Sequence, residues 1–209
     1  VGSIRYDLYQ RHSPGGQMTL VWIPRPSSAQ LAQNAAVLVR GRLPQPSVMT
    51  APPTDNVVVN VGMWIWADTN WWRPVTAMAW VPTVFGSAWA RTTATPVRLR
   101  FISQDDGTAN GGLVGAMECD GPGFEWSVAL GDEASSPCMY TYQHSSISRD
   151  GGVFVGVVSV DWEISWTSNS GAGGILPSYT TSSFVAVNVD ELQASFVITH
   201  LVIFRFNFH

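Results

Sequence analysis

The sequence contains no lysine. Its eleven basic residues are all arginine, charged residues make up 12% of the chain and the formal net charge is −4. Such a chain has no polybasic groove for nucleic-acid phosphates or anionic lipid, so a nucleic-acid partner is not expected. Long apolar runs are missing as well. The most apolar stretch, Phe196 to Phe204, is interrupted by His200 and followed by Arg205, short of the ~18 residues that mark a membrane span. Motifs of catalysis are also absent: there is no Gly-x-Ser-x-Gly, His-Glu-x-x-His, phosphate loop or Cys-x-x-Cys. Gly111-Gly-Leu-Val-Gly115 lacks the Lys and the βαβ setting of a phosphate loop and reads as a turn. The chain starts at Val1 with no basic n-region and no apolar run of signal length. The expectation is therefore a leader already removed, with a cytosolic chain as the alternative.

Cysteine is scarce. Cys119 and Cys138 are separated by 18 residues that include Gly121, Pro122, Gly123, Gly131 and Pro137. A stretch so rich in turns can close into a disulfide, worth roughly 3 kcal/mol by the chain-entropy model. Two free buried thiols in a cytosolic protein are the competing reading.

What the sequence does have is core material. Apolar residues reach 45%, ten residues are Trp, and 209 residues are enough to bury a substantial core without staples. Ile4 to Gln10 and Met18 to Ile23, parted by Ser13-Pro-Gly-Gly16, read as strand, turn and strand. One helix is expected over residues 28–41. Ser27 and Gln30 have the form of a capping box, Leu31, Ala35 and Leu38 recur at helical spacing, and Gly41 is a stop. Pro44-Gln-Pro46 and Pro52-Pro53 mark an extended linker, after which β signals dominate.

Val57 to Trp66 reads as one strand ending at the turn cluster Asp68-Thr-Asn70, and Val75–Val81 with Ser87–Thr95 as a hairpin. Another strand is expected to begin after Pro96, with Val97, Leu99 and Phe101 facing one way and Arg98 and Arg100 the other. The longest strand signal is Gly152 to Trp166, where Phe154, Val158, Val160, Trp162, Ile164 and Trp166 share a face. Gly156 on that face marks a bulge or a close backbone approach. Ser168 to Gly174 reads as a loop, Tyr179 to Val189 as a last core strand, and Phe204, Phe206 and Phe208 as one face of a terminal strand or tail. Short strands between turns, with a single early helix, predict a mainly β, antiparallel sandwich and exclude a doubly wound nucleotide fold.

Residues 96–166 resemble a divergent PKD domain, an immunoglobulin-like sandwich. The resemblance rests on Arg100-Phe-Ile-Ser-Gln-Asp-Asp-Gly-Thr108, Tyr140-Thr-Tyr142 and Arg149-Asp-Gly-Gly-Val-Phe-Val-Gly-Val-Val-Ser-Val160. It departs from the family where Phe101-Ile-Ser-Gln-Asp-Asp-Gly107 replaces Trp-x-Phe-Gly-Asp-Gly. Over roughly residues 30–193 the chain is also similar to a group of exported actinobacterial proteins. The shared order is Leu43-Pro-Gln-Pro46, Trp64-Ile-Trp66, Ala94-Thr-Pro96, Cys119-Asp-Gly-Pro-Gly123, Cys138-Met-Tyr-Thr-Tyr142 and Val160-Asp-Trp-Glu-Ile-Ser-Trp166. That resemblance implies export to the cell surface or medium and a Cys119–Cys138 bond, and it implies no biochemical activity. The resulting division is 1–46 strands and helix, 47–96 a β segment with the Trp-rich strand, 97–193 the PKD-like sandwich, and 194–209 a C-terminal strand or tail.

Chemistry-bearing residues are dispersed. The histidines stand at 12, 144, 200 and 209, and His144 beside Ser145 and Ser146 is better read as surface than as a nucleophile pair. Asp105 and Asp106 occupy the turn where PKD-like domains carry Asp. Calcium would use them, with Asp132, Glu133 or Asp150 nearby, yet turn Asp residues usually bond their own backbone, and no metal or cofactor is expected. Trp64, Trp66, Trp71 and Trp72 form the most suggestive ligand or interface cluster, through sugar stacking or protein contact. The expected function is a non-enzymatic, exported structural or interaction module that meets a protein or copies of itself. A carbohydrate-binding module using the Trp cluster is the alternative.

Overall fold

The order of elements follows the turn signals closely. The computed structural model describes residues 6–84, 86–105, 115–131 and 134–191. Two strands, β1 (Tyr6–His12) and β2 (Met18–Pro24), precede the helix α1 (Ser28–Arg40). Then come β3 (Val48–Ala51), β4 (Val57–Val58), β5 (Gly62–Ala67), β6 (Val75–Thr83), β7 (Gly86–Ile102), β8 (Ala116–Asp120), β9 (Met139–Thr141), β10 (Phe154–Ser168), β11 (Gly173–Val187) and β12 (Val189–Asp190). The chain is thus mainly β with one helix among the described residues. The expected terminal strand at 194–209 lies outside the described residues, as does Asp106.

The largest sheet has the order β11-β10-β7-β6, with β8 joining β7 beyond the end of β6. All its pairings are antiparallel. A second antiparallel sheet has the order β3-β5-β9, β1 and β2 form a hairpin of their own, and β4 and β12 make a short parallel pair. One core joins both large sheets: Met63 and Ile65 of β5, Leu99 and Phe101 of β7, Phe154, Val158, Val160, Trp162 and Ile164 of β10, and Val187 of β11. The face expected for the longest strand is the buried one, with Trp162 at 0% exposure. Gly156 sits there because a Cβ would come within 2.7 Å of the Phe101 ring, a close approach rather than a bulge.

β7 is the axis of the molecule. It runs unbroken through Pro96, where a new strand was expected, and the boundary between residues 96 and 97 falls inside it. Opposite β10, Trp162 pairs with Pro96 and Asp161 with Arg98, so Val97 is an extra residue. A one-residue bulge reverses which positions face inward. Accordingly Ala90, Thr92, Ala94 and Pro96 are buried before it, and Leu99 and Phe101 after it. Proline is tolerated here because a bulge already interrupts the ladder. β11 carries its own irregularity opposite the same place, between the pairs Trp162–Tyr179 and Ile164–Leu176.

The helix covers the first half of β7. Its capping box is formed, with the Gln30 N–H donating to Ser27 Oγ at 3.2 Å and the Ser27 N–H to Gln30 Oε1 at 2.8 Å. Leu31, Ala32, Ala35, Ala36 and Val39 are its buried face, whereas Leu38 is 47% exposed, so Val39 takes the place expected for Leu38. Small residues allow close packing against Ala90, and the Thr92 hydroxyl donates to the Ala32 carbonyl at 2.9 Å.

The expected strand from Val57 to Trp66 is two strands. Asn60 adopts φ +64°, a left-handed conformation that Asn tolerates, and the chain turns there between β4 and β5. β5 is then buried on both faces. Met63 and Ile65 enter the core, and Trp64 and Trp66 on the other face are 6% and 9% exposed.

Candidate functional site

Two places in the molecule gather chemistry-bearing or recognition-bearing side chains. The first is built around Asp105, just after β7. Gln104 takes φ +58°, and the Asp105 N–H donates to Ser103 Oγ at 3.0 Å. This turns the carboxylate inward, where it is 1% exposed. There it accepts the Gln143 N–H at 2.6 Å and the Tyr140 hydroxyl at 3.4 Å, and its other oxygen lies 2.8 Å from His144 Nδ1. Facing a carboxylate, Nδ1 donates, which leaves Nε2 of a 59% exposed imidazole toward solvent. Burial pushes the Tyr140 hydroxyl above its ordinary range; the Ser103 hydrogen bond works against this and Asp105 adds to it.

This arrangement orients one imidazole and fastens the loop after β9 to the end of β7. Ser145 and Ser146 turn away from it, their hydroxyls donating to the Val189 carbonyl at 2.9 Å and the Gly152 carbonyl at 2.6 Å. Among the described residues no group of three or more His, Cys, Asp or Glu is placed to hold a metal ion. Asp105 has its oxygens occupied by protein donors. Asp105 and His144 read separately in the sequence; their meeting, across 39 residues, carries no local signature.

The Trp-rich segment is placed differently from a binding patch. Trp64 and Trp66 are buried, and the turn that follows β8 presses Gly123 against the backbone at Ile65 and Trp66. That turn also extends the pairing of β5, the Ala67 N–H donating to the Pro122 carbonyl at 2.7 Å, while the Ile65 N–H donates to the carbonyl of Cys138, just before β9, at 2.9 Å. Cys119 and Cys138 are joined, with Cα atoms 5.5 Å apart, and so tie β8 of one sheet to the start of β9 in the other. Trp71 and Trp72 are half-buried against the core, their ring centroids 5.8 Å apart. The Asp68 turn holds them there, both N–H groups donating to its carbonyl at 3.2 Å.

The second place is the β1–β2 hairpin. Its register sets Leu8 opposite Trp22, Gln10 opposite Leu20 and His12 opposite Met18, with Tyr6 next along the same face. Tyr6, Leu8, Met18, Leu20 and Trp22 are 51, 41, 60, 58 and 63% exposed. On the other face Tyr9 Oη donates to the Pro82 carbonyl at 3.3 Å. At the base of the hairpin Arg25, just after β2, donates to both oxygens of Asp7, at 3.0 and 2.6 Å. This fork raises the affinity of Arg25 for its proton, mainly through the hydrogen bonds to Asp7.

The outer face of the large sheet is mixed. It has polar cross-strand pairs, Arg98 with Glu118 and Asp120, Arg100 with Glu118 and Asp161, Ser159 with Ser182, and Thr76 with Thr93, and it also exposes Met78 and Trp80 of β6 and Phe184 of β11. The β1–β2 hairpin was visible in the sequence as strand, turn and strand, but which side would stay uncovered was not.

No protein-family model matches the chain, and no curated protein or solved structure matches it either. Among the described residues no helix is long and apolar enough to cross a membrane.

Proposed function

We propose that the chain is a non-enzymatic, exported structural or protein-interaction module that recognises its partner through the apolar face of the β1–β2 hairpin. We further propose that its two antiparallel sheets form an immunoglobulin-like sandwich of the PKD-like kind, in the manner of the exported actinobacterial proteins it resembles. The joined cysteines favour an oxidising compartment. One observation carries the functional reading: five large apolar side chains stand together on one uncovered face of the hairpin. Contiguous apolar surface of this kind marks an interaction site, whereas single exposed apolar residues do not.

Polysaccharide binding through Trp64, Trp66, Trp71 and Trp72 has less behind it, because the first two are buried. The test is fractionation of producing cells. The wild-type chain is expected in the surface-associated fraction, and a Leu20→Glu/Trp22→Glu variant in the medium as free chain. Identical distributions, with both chains folded, would reject the reading.

A further inference from the structure

We infer that the partner on the hairpin face is a second copy of this chain, the two hairpins stacking face to face about a two-fold axis. The inference rests on the interaction reading above and adds the partner. Charge is the first argument. A chain with a net charge of −4 and no lysine opposes self-association through any face that carries its carboxylates. This face carries none: beside the five apolar residues it presents only Gln10 and His12 at the turn end, and the hairpin's acidic group, Asp7, is on the opposite face in its fork with Arg25.

Shape is the second. Along the ribbon the aromatic residues Tyr6 and Trp22 lie toward the base, and Leu20 and Met18 toward the turn. Antiparallel stacking sets the rings of each copy over the aliphatic end of the other, so one surface serves both sides, as an isologous contact requires. Area is the third. A large aromatic side chain buries about 150–250 Å² when covered, so five large apolar residues at half exposure present on the order of 500 Å². A two-fold pair then buries on the order of 1,000 Å² before the rim is counted, the lower bound of a specific interface. Self-association is thus expected to depend on concentration.

The experiment is light scattering on the full purified chain over a broad concentration series. The mass is expected to rise from that of one 22.7 kDa chain toward twice that value. Leu20→Glu/Trp22→Glu is expected to stay at single-chain mass with an unchanged near-ultraviolet dichroism spectrum. Val37→Glu, at a 66% exposed position on α1, is expected to dimerise like the wild type. Single-chain mass for the wild type at every concentration would overturn the inference, whether the face is taken by the chain's own C-terminal residues or by a different protein. So would a dimer that survives the double substitution. A wild type that is monomeric when purified, yet needs Trp22 to remain with the cell surface, would remove the second copy and keep the interaction module.

Discussion

Asp105 and His144 meet through a carboxylate oxygen and Nδ1 at 2.8 Å, the acid buried and the imidazole facing outward. The asymmetry decides what each contributes. Asp105→Ala takes the acceptor from the Gln143 N–H and the Tyr140 hydroxyl and leaves a cavity where a buried carboxylate stood, and is expected to cost about 2–3 kcal/mol in urea unfolding. His144→Ala at the exposed end is expected to cost under about 1 kcal/mol. Equal losses would mean that the imidazole, not the carboxylate, holds the loop after β9.

Val97 sets the parity of the central strand. Deleting it would carry Leu99 and Phe101, now 0% and 1% exposed, to the outer face, or else disrupt the earlier half. The deletion is expected to abolish a cooperative thermal transition. Val97→Ala keeps the extra residue and is expected to melt cooperatively at a slightly lower temperature.

Gly121 and Gly123 both adopt positive φ, at +81° and +83°, but only one is crowded. A Cβ on Gly121 meets open space, and Gly121→Ala is expected to cost about 1–2 kcal/mol for its conformation alone. At Gly123 the added carbon comes within 2.5 Å of the Ile65 carbonyl and 3.0 Å of Trp66 Cα. Gly123→Ala should therefore be the more destabilising of the two in thermal melts. The reverse order would show that the turn does not press on β5.

Alkaline stability depends on two tyrosines packed edge to face, Tyr140 and Tyr142. Burial pushes the Tyr142 hydroxyl far above its ordinary range, with Tyr140 and Asp105 adding to the effect, and Tyr140 is raised chiefly by burial as well. In the unfolded chain both lose their protons near about pH 10, while the folded chain keeps them to higher pH. The stabilisation is therefore complete below about pH 10 and is lost as the pH rises beyond it. The urea midpoint should fall steeply there. Tyr142 Oη is buried without a hydrogen-bond partner, so Tyr142→Phe is expected to be neutral or stabilising at pH 7 and to flatten the alkaline fall.

Regular periodicity was readable and long-range correction was not. The capping pair Ser27 and Gln30, and the single face running from Phe154 to Ile164, were legible because spacing alone determines them. Pro96 read as a strand boundary because proline lacks a ladder donor; only the pairing with Trp162 shows that a bulge absorbs it. Asn60 was a local clue to the break before β5, outweighed by the β-branched and aromatic residues around it. Trp64 and Trp66 were legible as sharing a strand face, but that this face is buried depends on contacts outside the strand. The hairpin was legible as strand, turn and strand, while the exposure of its apolar face depends on how little of the chain packs on it.

The bond between Cys119 and Cys138 encloses a segment whose side chains at Phe124, Val128 and Leu130 are 63, 83 and 50% exposed. A protease in the medium would meet this segment readily. Cutting it frees no fragment: both new ends stay covalently attached, and the main sheet, whose pairings lie outside the cut, keeps its ladder. A nicked molecule would therefore travel as one species without reductant and separate into two pieces with it. The same cysteine pair that stitches the sheets thus gives the protein tolerance to a backbone cleavage.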